Sequence, residues 1–100
     1  MKYIELKDLE QGANIILAWK DDESKWWPRE VKVRKEKGVK FYDIDECIPI
    51  PLIEFFKSFK GIDKCGNKIF EVAVFDSVNE CQKWCDKENK FNETYFLKTY

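Results

Sequence analysis

The chain has 100 residues, 44% hydrophobic, 16% aromatic and 37% charged, which excludes a disordered polymer and is too short for two full domains. Its 18 basic and 19 acidic side chains leave a formal charge of -1, so nucleic acid, an acidic membrane or a polyacid has to be met by a local patch and not by the field of the whole molecule. Histidine is absent, which removes the usual general base, the usual partner of a Ser or Cys nucleophile and the commonest transition-metal ligand. The expectation is therefore no enzyme and no cofactor. No segment approaches the roughly 18 consecutive apolar residues of a membrane helix, and Met1 to Glu10 alternates charge with hydrophobe, so an intracellular chain without a membrane partner is expected.

Taken in order, Met1 to Lys7 reads as a short strand-like arm. Gly12 then opens the apolar run Ile15-Ile16-Leu17-Ala18-Trp19, rich in the β-branched and aromatic residues of a buried strand. The polar stretch Lys20 to Lys25 marks a surface loop. From Trp26 the pattern alternates, with Val31 and Val33 against Lys32 and Arg34. After a turn at Lys35 to Gly38, Val39 and Phe41 alternate with Lys40 and Tyr42, so residues 26–45 predict a hairpin with Gly38 in its loop. Cys47, Ile48 and Ile50, interrupted by Pro49 and Pro51, allow only a short edge strand. Several short strands within fifty residues predict a small barrel.

The second half changes period. Leu52, Ile53, Phe55, Phe56 and Phe59 fall at helical spacings with Gly61 beyond them as a stop. Residues 68–75 fit a strand and a helix equally. Asp76 or Ser77 caps a later helix carrying Val78, Cys81, Trp84 and Cys85, with Glu80 as the partner in a capping box. The aromatics Phe91, Tyr95 and Phe96 suggest a docked tail. The cysteines Cys47, Cys65, Cys81 and Cys85 form no CxxC pair, so buried free thiols are expected in place of a zinc site or a disulfide framework.

Two constellations stand out. Aromatic residues sit beside acids in the first half: Trp19, Trp26 and Trp27, then Tyr42 next to Asp43, Asp45 and Glu46. A basic run follows the tryptophans, with Arg29, Lys32, Arg34, Lys35, Lys37 and Lys40 interrupted only by Glu30 and Glu36. Burial alone explains most aromatic residues, and a solvated hairpin explains most basic runs.

In order, Gly12, Leu17-Ala18-Trp19-Lys20, Trp26-Trp27-Pro28-Arg29-Glu30-Val31 and Val39-Lys40-Phe41-Tyr42-Asp43 resemble the chromatin-reader barrels of the Royal superfamily. Trp26-Trp27-Pro28 followed by Val31 is similar to the core of a PWWP domain, and Ala18-Trp19 before an acidic loop is similar to a Tudor domain. Lys25 stands where the PWWP pattern has proline. The resemblance covers about a third of the chain by motif. It implies an SH3-like barrel of about five strands at residues 9–50, followed by a helical part at 51–100, in a single α+β domain spanning 1–100.

The resemblance also implies a function: a module that binds the methylated lysine of a histone tail in an aromatic cage. A methylated ammonium keeps its charge but loses hydrogen-bonding protons, and π faces hold it at about 0.5–2 kcal/mol each. By motif position the cage is Trp27, Tyr42 and Trp19, with Asp43 as the nearby carboxylate; Trp26 and Phe41 go to the core. Lys32, Arg34, Lys35, Lys37 and Lys40 form the patch that meets DNA beside the tail. The partners implied are a methylated histone tail and DNA or the nucleosome, within a larger nuclear protein or complex, and the location is nuclear. Two other readings stay open: a protein-interaction domain without a working cage, used for dimerisation or a non-histone peptide, and a small phage or bacterial effector.

Overall fold

The computed structural model describes residues 1–44 and 49–99, with the backbone alone at 53 and 92–99. Cys47 and Ile48, expected near an edge strand, and Asp45 and Glu46, beside the candidate cage, lie outside the described residues.

The first strong apolar run forms β2 (Asn14–Lys20), which turns back antiparallel into the long β3 (Trp26–Lys35), then β4 (Val39–Asp43) and a two-residue β5 (Pro49–Ile50). These four make one sheet in the order β2-β3-β4-β5. The entry arm is β1 (Lys2–Glu5). It does not join this sheet, but pairs with β7 (Lys68–Val74), which pairs in turn with β6 (Lys57–Ile62), giving a second antiparallel sheet in the order β1-β7-β6. The helix α1 (Val78–Thr99) follows.

Local chemistry explains the turns. In the β2–β3 loop, Asp21 Oδ1 accepts the backbone N–H groups of Glu23 and Lys25 at 3.0 and 2.9 Å. The β6–β7 loop repeats the device: Asp63 Oδ1 accepts from Cys65 and Asn67 at 2.9 and 2.8 Å. Each loop has a left-handed fourth residue, Ser24 at φ 63° and Gly66 at φ 86°, a conformation only glycine adopts without strain. The carboxylates also acquire a lower pKa there, Asp21 mainly through the Trp27 indole and Asp63 mainly through the Asn67 N–H.

Strand alternation divides the interior in two. On the first sheet, Leu17, Val31, Val33 and Phe41 point to one face, where they meet Leu9, Phe55, Val72 and Val74 in the larger core cluster. Ala18 points to the other face and joins Ala73, Phe75, Cys81 and Cys85 beneath α1, with Trp26, Phe56 and Trp84 closing the margin. β7 feeds both clusters, since Val72 and Val74 go one way and Ala73 the other. Ser77 Oγ accepts the N–H of Glu80 at 3.1 Å, as the capping pattern predicts. The Glu80 carboxylate instead accepts from the Asp76 N–H at 3.2 Å and pairs with the N-terminal ammonium.

The expected SH3-like barrel with a helical second half is corrected here. Among the described residues there are seven strands in two open antiparallel sheets and a single α-helix. Isolated bridges, Ile16 to Phe75 and Trp19 to Phe55, join the sheets without closing them. The region 51–100 is not helical throughout, because residues 57–62 and 68–74 form a hairpin and only Leu52–Glu54 makes a short 3-10 turn. Phe55 and Phe56 mimic a helical stripe, yet they enter opposite clusters, which consecutive side chains do in extended backbone. Gly61 lies within β6, beside an irregularity in its register, and stops no helix.

Candidate functional site

The registers decide which expected site residues meet. Trp19 lies directly opposite Trp27, Leu17 opposite Arg29, and Val31 opposite both Ile15 and Asp43. Trp19, Trp27, Arg29 and Asp43 therefore share the face that carries the larger core. Tyr42 pairs with Lys32 and projects from the other face, so the structure does not bring Tyr42 to the two tryptophans.

Each of the three rings also carries a cation from the chain itself. Lys25 lies 4.6 Å from the Trp27 ring centre, Arg29 lies 5.0 Å from that of Trp19, and Arg34 lies 5.1 Å from that of Tyr42. Trp27 is 41% exposed, and its indole donates to Asp21 Oδ2 at 2.8 Å, so the ring braces the acidic loop. Trp19 is half-buried and donates from Nε1 to Glu54 Oε2 at 2.6 Å. Asp43 is buried, with Arg29 Nε 3.0 Å from its Oδ2. A methylated ammonium entering here would displace side chains already held by the same rings. Trp26 is half-buried against α1 and Phe41 is fully buried, both structural, as the sequence implies.

The basic run divides just as cleanly. Arg34 stands opposite Lys40, and Lys32 opposite Tyr42, on one exposed face of β3 and β4. With Asn14, the Arg34, Lys32 and Tyr42 side chains line an open depression of about 240 Å³, completed by Asp43 and Ile44. Glu30 is the next acid along this face of β3. Lys35 points to the opposite face, and its Nζ donates to the Lys7 carbonyl at 2.7 Å. Lys37 sits in the hairpin turn at φ 54°. Of the five basic residues expected to contact DNA, the structure gathers Lys32, Arg34 and Lys40.

Several contributors escaped the sequence reading. Asn14 enters the depression from β2, and Glu54 anchors Trp19 from the 3-10 turn. Asn89 on α1 clasps the start of β3, accepting the Trp26 N–H at 2.8 Å and donating to the Trp26 carbonyl at 3.0 Å. A lone asparagine or glutamate carries no spacing signal. Cys81 and Cys85 lie buried with their sulfurs 4.0 Å apart, and burial raises both thiol pKa values, which disfavours the nucleophilic thiolate. Cys65 is exposed. Among the described residues no group of three potential metal ligands converges.

No family model, curated protein or solved structure matches this chain.

Proposed function

We propose that the chain is a binding module that holds the phosphate backbone of a nucleic acid on the exposed face of β3 and β4. The observation that carries the reading is the Arg34–Lys40 pair: two cations placed directly across adjacent strands. Like charges directly opposite one another destabilise a sheet, and a bound anion offsets that repulsion. Lys32 and Tyr42 extend the same face by one residue pair, and the depression between Arg34 and Tyr42 gives a phosphate a place to enter. Tyr42 offers a stacking face once Arg34 swings toward the ligand. The role is binding and not catalysis, since the depression presents no nucleophile with a base beside it.

Contact through Lys32, Arg34 and Lys40 implies modest, salt-dependent affinity: a dissociation constant of roughly 10⁻⁴–10⁻⁶ M and a log–log salt slope of about -2 to -3. Fluorescence anisotropy with a short labelled DNA, single-stranded and duplex, measures both. Arg34→Glu is expected to weaken binding and to flatten the slope by about one contact. Wild-type affinity in that variant, or an affinity indifferent to salt, rules out this face as the site. Binding of a methylated histone peptide that leaves Arg34→Glu unaffected and disappears in Trp27→Ala would restore the aromatic reader as the better account.

A further inference from the structure

On β6, Phe59 is 56% exposed and Ile62 is 64% exposed. Residues three apart on an unbroken strand point to opposite faces. Here a register shift between Phe59 and Gly61 leaves Lys60 as an extra residue, so Phe59 pairs with Phe70 and Ile62 pairs with Lys68. Both apolar side chains therefore stand on the same face of the sheet as Val72.

Lys60 turns the other way. Its Nζ lies 2.8 Å from Glu5 Oε1 and 3.7 Å from Glu71 Oε1, and Glu5 is itself paired with Glu71 across β1 and β7. The bulge is thus tied down, and both acids of this sheet lie on the face away from Phe59. The Phe59 face carries the opposite sign. Lys57 Nζ lies 5.1 Å from the Phe70 ring centre, and Lys68 is exposed beside Ile62. The Phe59 and Phe70 rings meet at 5.9 Å and 65°. β6 is an edge strand, and among the described residues no strand pairs with its outer side. A bulge and a lysine suffice to blunt such an edge, but that role asks for polar side chains at positions 59 and 62 and leaves the exposed ring unexplained.

We propose that the Phe59–Phe70 face is a second binding site, a stacking platform for the unpaired bases of a single-stranded nucleic acid. A base lies on the exposed Phe59 ring. Lys57 precedes the ring pair along the sheet and Lys68 follows it, so each can take a neighbouring phosphate. Phenylalanine offers a π face with no hydrogen-bonding group, which makes the stacking tolerant of base identity. Bases in a duplex present only their edges in the grooves, so the platform selects single strands. The inference goes beyond the phosphate-backbone reading of β3 and β4, because the sheet, the residues and the recognised group all differ.

Three labelled probes test it by fluorescence anisotropy: oligothymidine, an abasic strand of the same length, and a short duplex. Heteronuclear NMR spectra verify that each variant remains folded. Oligothymidine is expected to bind more tightly than the abasic strand. Phe59→Leu keeps an apolar side chain but removes the π face, and should weaken oligothymidine binding on the order of tenfold with duplex binding unchanged. Lys68→Glu should lower the oligothymidine affinity and reduce its salt slope by about one. The Phe59 ring protons should shift upfield with oligothymidine and stay in place with duplex. If Phe59→Leu and Phe70→Leu both hold oligothymidine as wild type does, or the abasic strand binds equally well, the platform is refuted; duplex binding that still weakens in Arg34→Glu then leaves the β3–β4 site standing. A loss in Phe59→Leu, with duplex binding untouched by Arg34→Glu, supports the platform and removes the β3–β4 reading. If a polyglutamate peptide moves the Phe59 resonances and oligothymidine does not, the face belongs to an acidic protein partner and the platform falls.

Discussion

Trp84→Ala offers the sharpest test of how α1 is attached. The Trp84 ring lies 5.3 Å from Trp26 at 79°, 5.3 Å from Phe56 at 44° and 5.9 Å from Phe75 at 57°. It therefore touches β3, the segment entering β6 and the end of β7 at once. Full truncation of a buried Trp costs about 3–5 kcal/mol, and aromatic pairs add about 0.5–1.5 kcal/mol beyond their area. Because Trp84 is half-buried, the lower end, about 3 kcal/mol, is expected, out of the roughly 5–15 kcal/mol that holds a domain together. Equilibrium urea unfolding followed by far-UV circular dichroism reads this directly, as a midpoint lowered by roughly 2 M at an m-value of about 1.5 kcal/mol/M. Trp27→Ala is the internal control: with the ring 41% exposed, it should cost under about 1 kcal/mol. Comparable losses in the two variants, or a loss below about 1 kcal/mol for Trp84→Ala, would refute the reasoning that the Trp84 ring carries a large share of the attachment of α1 to the sheets.

Ser24→Gly relieves the left-handed strain at φ 63° and is expected to stabilise by up to about 1 kcal/mol after the entropy of the added glycine; Gly66→Ala at the equivalent loop position should destabilise by a similar amount in the same thermal melts. Asn89→Ala removes both hydrogen bonds to the Trp26 backbone and should cost about 1–3 kcal/mol, with faster amide exchange at Trp26 as its local signature. In a variant lacking Cys47 and Cys65, a thiol reagent should label Cys81 and Cys85 only as fast as the protein opens, because both are fully buried; immediate labelling would contradict the packing under α1. Acid should destabilise the fold. Glu5, Asp21, Asp63 and Glu80 have pKa values lowered from 4.5 for Glu and 3.8 for Asp, chiefly by Lys60, the Trp27 indole, the Asn67 N–H and the N-terminal ammonium. Their stabilisation is complete above those ordinary values and is lost as pH falls through the lower folded ones. The Lys60 share, raised from 10.5 mainly by Glu5, is present below that ordinary value and is lost as pH climbs through the higher folded one. A melting temperature that holds through neutral pH and drops in acid is the expected profile.

The parts of the fold legible in the sequence are those where one face of an element is buried and the other is wet. Val31, Lys32, Val33 and Arg34 alternate because β3 has a core side and a solvent side there, and the β3–β4 hairpin follows directly. The α1 start is equally plain, since Ser77 caps it and Cys81 and Cys85 mark its buried stripe. β7 is different. Val72, Ala73, Val74 and Phe75 are all buried, because one side faces the larger core and the other faces α1, and a strand covered on both faces loses its alternation. The same double coverage gives Phe55 and Phe56 to different clusters and makes an extended segment look helical. Pairing was less legible still: nothing local tells β1 to join β7, seventy residues away in sequence, and with β6 on the other side of β7 these three make a sheet separate from β2-β3-β4-β5 in place of a closed barrel.

The candidate site was legible in its residues and illegible in its parity. The β3–β4 turn sets Val33 opposite Phe41 and Val31 opposite Asp43, and the β2–β3 turn sets Trp19 opposite Trp27. Both registers pair odd positions with odd, so Trp19, Trp27, Arg29, Phe41 and Asp43 share one face, while Lys32, Arg34, Lys40 and Tyr42 share the other. A shift of one residue in the β3–β4 turn would reverse the second strand and place Tyr42 with the tryptophans; the geometry of Lys37 and Gly38 therefore decides whether the aromatics can form a cage at all. With the register as it stands, aromatic residues and cations pair with each other: Lys25 with Trp27, Arg29 with Trp19, Arg34 with Tyr42. β3 thus sends two guanidinium groups in opposite directions from one strand. Arg29 is turned inward to the buried Asp43, and Arg34 outward beside Lys32 and Lys40. The inward charge is spent within the fold, and that leaves the outward charges available to an anion from solution.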